Sequence, residues 1–150
     1  MRSKTIIPGL ILAMISAVVL ADLDPWKDYE LSESVYSVTT VRVDPNMDDA
    51  YLEGIARTWA TSNEVAKKLG QIVDYSIFRS DLPQSGDFNL ILVVEFENSA
   101  AFAPNKARYD AFMAEMGKAN ADASTEYAQK NYPAMRTITG EYLMREVTLK

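Results

Sequence analysis

The sequence predicts an α+β domain in the order strand, helix, strand, strand, helix, strand. Three observations predict it. Val35–Val43 (VYSVTTVRV) is dominated by β-branched and aromatic residues, the composition of a strand. Residues 46–69 repeat apolar side chains at helical spacing between an N-terminal and a C-terminal signal. Residues 88–97 (FNLILVVEFE) are apolar on both alternating faces over Leu90–Val94, which marks a central strand covered on both sides.

Arg2 and Lys4 open the chain, and a mostly apolar run covers Thr5–Leu20, interrupted by Pro8, Gly9 and Ser16. Val19-Leu20-Ala21 then offers the small-residue exit that a signal peptidase reads. Residues 1–21 are therefore expected to be a signal peptide cleaved after Ala21, giving a periplasmic or secreted product. The competing reading is an uncleaved anchor, but a spanning helix needs about 20 apolar residues and this run is shorter. A lipid anchor would need a Cys at the cleavage site, and the chain has none. Residues 22–33 are expected as a polar leader that packs loosely through Trp26, and 34–150 as the folded domain.

Within the domain, Asp44-Pro45 ends the first strand, since Pro cannot extend a ladder. Asn46 is the expected cap of the first helix, with Asp48 and Asp49 in its first turn. Leu52, Ile55, Trp59, Ser62, Ala66 and Leu69 form its stripe, and Lys67, Lys68 and Gly70 its stop. Residues 71–79 (QIVDYSIFR) form the second strand, and 80–87 (SDLPQSGD) are turn chemistry. Asn98 or Ser99 caps a helical region that Pro104 interrupts. The main second helix then runs from Asn105 to Met116, with Tyr109, Phe112, Met113 and Met116 on its buried side and Gly117 as its end. Residues 118–131 are polar and Ala-rich, open to either an exposed helix or a loop. Met135–Leu149 alternates as a last strand, kinked at Gly140.

This order is the split β-α-β, ferredoxin-like arrangement, an antiparallel sheet with both helices on one face. Its other face would carry the apolar groups of the third strand, and such a patch usually marks an interface. Two sheets packed face to face would cover it, so a two-fold homodimer is expected.

Composition excludes several classes of function. Loss of residues 1–21 removes two of the 15 basic residues and no acid, leaving 13 against 21 acidic residues, a net charge of −8. That charge repels nucleic-acid phosphates and anionic membrane surfaces. With 0 Cys and 0 His, the chain can build no disulfide, no Cys–His or Ser-His-Asp set and no imidazole or thiolate zinc site. No metal or cofactor is expected.

The stretch from Thr58 through Trp59, Asn63 and Glu64 to Gly70, then Asp74-Tyr75, then Ser85-Gly86-Asp87-Phe88-Asn89-Leu90, resembles an uncharacterised family of small exported bacterial proteins. In element order, over residues 34–149, the chain also resembles the dimeric α/β-barrel superfamily. That group includes cofactor-free monooxygenases of the antibiotic-biosynthesis type, muconolactone isomerase-like proteins and stress-response proteins. The histidine that usually holds haem in its haem-degrading branch has no counterpart here.

The candidate ligand pocket is Trp59, Asn63, Tyr75 and Arg79. Trp59 on the inner stripe of the first helix is either core packing, the general rule for aromatics at helical spacing, or a pocket wall. The resemblance to the monooxygenases implies the wall, where an aromatic helps to hold a flat substrate. Asn63 lies one turn on, either solvated or hydrogen bonding into the same space. Tyr75 and Arg79 share a strand face, and the arginine would hold a carboxylate or phenolate, or else pair with Glu95 or Glu97. Asp74 and Glu95 are conceivable as an acid/base pair. Asn89 sits at the sheet margin or points into a cavity, and Tyr109 and Tyr142 either line a pocket or edge the core. Three functions compete. The first is a non-catalytic homodimer binding a small, partly apolar ligand. The second is a cofactor-independent monooxygenase- or isomerase-like enzyme acting on a small aromatic substrate. The third is a structural or interaction protein.

Overall fold

The computed structural model describes residues 23–82 and 86–150. The expected signal peptide, and Ser85 of the Ser85–Leu90 stretch, lie outside the described residues. Strands β1 (Tyr29–Leu31), β2 (Val35–Val43), β3 (Asp74–Arg79), β4 (Leu90–Phe96), β5 (Arg136–Met144) and β6 (Val147–Leu149) form two antiparallel sheets. The larger has the order β3-β4-β2-β5, and β1 pairs with β6 alone. The first β-α-β crossover and the hairpin after it place the four long strands in the ferredoxin-like order, and the chain is an α+β sandwich of that type.

The first helix is continuous but not uniform. It comprises α1 (Asp48–Ile55), a π-helical turn (Ala56–Ala60) and α2 (Thr61–Lys68). Asn46 does not cap it. It stands at φ 66° with Pro45 before it, and the Met47 N–H closes on the Asp44 carbonyl at 3.0 Å, as in a type II turn. The stop is a Schellman motif: Gly70, at φ 63°, donates to Lys67, and Gln71 donates to the Ala66 carbonyl at 2.8 Å. Gln71 therefore belongs to the helix end, and β3 begins only at Asp74.

The buried face of this helix runs through Tyr51, Ile55 and Thr58, while Leu52 and Trp59 pack partly buried at its flank. The π turn holds an extra residue, which shifts the phase of the later turns by about 100° relative to an unbroken α-helix. The expected stripe already departs from the buried face at Leu52, next to Tyr51 and ahead of the π turn.

Asn98 caps the 3₁₀ turn Ser99–Phe102 by accepting from the Ala100 N–H at 2.9 Å, and Asn105 caps α3 (Lys106–Met116) by accepting from Arg108 at 3.0 Å. On α3 the expected inner side is corrected at Tyr109, which is 62% exposed; Phe112 and Met113 are half-buried and Met116 is buried. The 118–131 segment is helix α4 (Lys118–Asn131), as its Ala-rich composition allows.

The core lies between the helices and one sheet face: Val41, Val43, Leu90 and Leu92 from the sheet meet Tyr51, Ile55 and Tyr132. By alternation, the other face carries Tyr36, Val38, Ile91, Val93, Phe78, Tyr142 and Met144. Register between β2 and β5 slips at Thr40, which pairs with Gly140 while Val41 pairs with Ile138. Thr139 is thus the bulged residue, beside the expected kink.

Residues 23–33 are not a loosely packed leader. Trp26 is 67% exposed, and the segment is held by backbone pairing of Tyr29–Leu31 with Leu149–Val147. A three-residue strand carries too little pattern to be seen in a sequence.

Candidate functional site

The π turn delivers Trp59 to the sheet edge, where its ring meets Tyr75 edge-on, centroids 5.3 Å apart. The polar groups around this pair bond one another. The Asn63 amide donates to the Trp59 carbonyl at 2.8 Å, and the Tyr75 hydroxyl donates to Glu64 at 2.7 Å. The Glu64 carboxylate that takes this bond raises the Tyr75 pKa, with burial adding to it. Arg79 lies on the same strand face but roughly 13 Å further along, at 3.3 Å per residue, exposed and opposite Leu90. The structure thus brings Trp59 and Tyr75 together, ties Asn63 back to the main chain of its own helix, and leaves Arg79 at the far end of the edge strand.

Asp74 and Glu95 are direct cross-strand neighbours. The Asp74 carboxylate accepts from Lys67 at 2.8 Å and from the Tyr75 N–H at 2.8 Å, and the lysine bond first of all holds its pKa below the ordinary value. Glu95 also faces Tyr36 across β2, where desolvation and then this carboxylate raise the phenol pKa. These groups form a charged rim on the sheet rather than an enclosed acid/base pair. Among the described residues, no group of three or more His, Cys, Asp or Glu is placed to hold a metal.

Asn89 is buried, and its role is specific. Its side-chain oxygen accepts from the Val43 N–H at 2.7 Å and its amide donates to the Val43 carbonyl at 2.9 Å, continuing the ladder where the backbone diverges. Beside it lies a polar hollow of about 490 Å³ between Arg42, Asp44, Asn46 and Asp48.

A second feature carries no signal in the sequence. Tyr132 meets Tyr51 at 5.3 Å and Tyr127 at 5.9 Å, both edge-on, and shares a hydrogen bond with buried Thr58. The Arg136 guanidinium lies 5.2 Å from the Tyr132 ring and 5.8 Å from that of Tyr51. Burial raises the pKa of both Tyr51 and Tyr132; Arg136 opposes the shift at Tyr51, and the Thr58 bond opposes it at Tyr132. Gly54 makes the cluster possible, since a Cβ there would lie 3.0 Å from Tyr127 and 3.1 Å from Tyr132. These residues are scattered between 51 and 136, and only their shared contact reveals them.

A largely apolar hollow of about 400 Å³ lies under the β1–β6 arm. Leu31, Val35, Phe102, Leu143 and Met144 line it, with Ser99 and Arg145 as its polar members. Tyr142 stands apart from it on the open sheet face, half exposed.

No family model matches the chain, and no curated protein does. Solved structures do match in shape. HapK from Hahella chejuensis is similar at 15% identity over 75% of this chain and 91% of that one, with a TM-score of 0.45. SnoaB from Streptomyces nogalater, described as a cofactor-independent oxygenase, is similar at 15% identity over 75% and 92%, with a TM-score of 0.41. A dimeric protein of unknown function and ferredoxin-like fold from Bacteroides fragilis is similar at 9% identity over 81% and 100%, with a TM-score of 0.40. The strand order β3-β4-β2-β5 remains the direct ground for the ferredoxin-like fold of this chain.

Proposed function

We propose that this protein is an exported homodimer that closes two open sheet faces against each other and binds a small, partly apolar ligand. The observation that carries the reading is the open face itself. Val38, Ile91 and Val93 stand at its centre, and Phe78, Tyr142 and Met144 remain 56%, 51% and 53% exposed around them. An apolar surface of this continuity is rare on a monomer, and a stable interface needs about 800 Å² per partner. Export is supported by the basic start, apolar run and small-residue exit of residues 1–21. No helix among the described residues is long and apolar enough to cross a membrane.

Sedimentation equilibrium of the mature chain tests the assembly. A dimer is expected, and Val93→Asp is expected to give a folded monomer. A wild-type chain that stays monomeric at high concentration ends the reading. N-terminal sequencing of exported material tests the cleavage, with Asp22 as the expected first residue.

The oxygenase- or isomerase-like reading ranks second. It needs Trp59, Asn63, Tyr75 and Arg79 to act as one pocket, whereas the Asn63 amide and the Tyr75 hydroxyl are already committed to Trp59 and Glu64.

A further inference from the structure

We propose that the hollow beneath the β1–β6 arm binds a single-chain anionic amphiphile of the medium-chain fatty acid class, its tail against Leu31, Val35, Phe102 and Leu143 and its head at Arg145. The proposal rests on the ligand-binding part of the proposed function and names its site and chemistry.

Three features carry it. The first is shape with polarity. About 400 Å³ falls within the range of small-molecule sites, and such sites pair an apolar lining with one or two placed polar groups. The second is exposure. Val35, at 4%, forms the buried floor, while Leu31, Phe102 and Leu143 are 42%, 44% and 65% exposed around it. Isolated exposed apolar residues are ordinary, but several converging on one concavity are not. The third is charge. Arg145 Nη1 donates to the Ser32 carbonyl at 2.7 Å and the Glu33 carbonyl at 2.9 Å, which anchors the side chain without neutralising it. No ion pair to Arg145 forms among the described residues, although Glu33 and Glu146 are near in sequence. Its remaining N–H groups suit a carboxylate, which accepts from guanidinium in a charge-assisted fork.

The hollow is distinct from the expected subunit interface. Val35 and Leu143 lie on the helix side of the sheet, so closing two open faces leaves it uncovered; Met144 marks where the two surfaces meet.

The test is calorimetric titration of the mature protein with decanoate, decanol and decyltrimethylammonium, with sedimentation run on the same samples. Decanoate is expected to bind most tightly. Arg145→Gln is expected to weaken decanoate about tenfold while leaving decanol unchanged, as loss of a charge-assisted bond requires. Leu143→Lys, at an exposed position, is expected to abolish binding of both without loss of helical signal. Absence of decanoate binding overturns the proposal, as does equal or tighter binding of the alcohol or the cation. Conversion of the dimer to a monomer by Leu143→Lys also overturns it, because the hollow would then belong to the interface. A wild-type monomer that still binds decanoate through Arg145 would sink the homodimer and leave this site standing.

Discussion

Leu90 and Ile91 are adjacent in β4 and nearly equal in size, yet they have different fates. Leu90 is 2% exposed beneath the helices, against Val41, Val43, Ile55 and Tyr51. Ile91 points the other way, into a face that no helix among the described residues covers, and is half-buried between its strand neighbours. The same pairing of strands therefore produces one finished face and one unfinished face. A residue's hydrophobicity says that it should be covered. What covers it, its own chain or another, depends on where the helices cross.

The contrast can be broken most directly at its buried side. Leu90→Ala is expected to cost about 2–5 kcal/mol, the range for large-to-small changes in a packed core, read as a lowered midpoint in urea at every protein concentration. Ile91→Asp is the mirror experiment. It is expected to leave the fold intact but to abolish the concentration dependence of Tm, because coupled association is what makes Tm vary with concentration. Equal losses of monomer stability in the two variants would erase the distinction between the faces.

Asn89→Ala probes the margin where the faces meet. It leaves the Val43 N–H and carbonyl buried and unpaired, which is expected to cost about 1–3 kcal/mol in chemical unfolding. The smallest effect is expected at the charged rim. Asp74 has its pKa lowered mainly by Lys67. Its contribution is present above the unfolded value of about 3.9 and is lost as pH falls through the lower folded value. Lys67→Met is expected to flatten the acid limb of the Tm profile below that unfolded value by lowering Tm slightly at neutral pH, with the variant and the parent converging in acid where Asp74 is protonated in both.

Much of the fold is legible in particular residues. The strand order follows from three β-rich runs and two helices with end signals, and the Schellman stop follows from Lys67, Lys68 and Gly70, since only a residue that tolerates positive φ closes the turn cheaply. The bulge beside Gly140 is visible for a related reason. The π turn is not legible, because no side-chain pattern announces one extra residue inside a helix. Nor is the choice between two adjacent stripes legible: Tyr51, Ile55 and Thr58 keep the same helical spacing as Leu52, Ile55 and Trp59, and only the packed structure shows that the first is buried. Asn46 misleads because Asn serves both as a helix cap and at positive φ, and the preceding Pro45 favours the second role. Of the candidate pocket, the Trp59–Tyr75 meeting runs through the π turn, and only the helix-facing side of Tyr75 is foreseeable, from strand parity. The placement of Arg79 is not, since sharing a strand face says nothing of distance along it.

The pairing of Tyr29–Leu31 with Leu149–Val147 has a mechanical meaning. Tyr29 lies directly opposite Leu149, so both outgoing segments leave from one end of a short antiparallel ladder. Tension between them would open this ladder like a zipper, one rung at a time, instead of shearing all its rungs together. Tyr36 opposite Met144 repeats the geometry at the next strand pair. A tether drawn from both sides would peel the arm away first and then work inward along β2 and β5, so resistance to pulling would stay low even where resistance to heat is high.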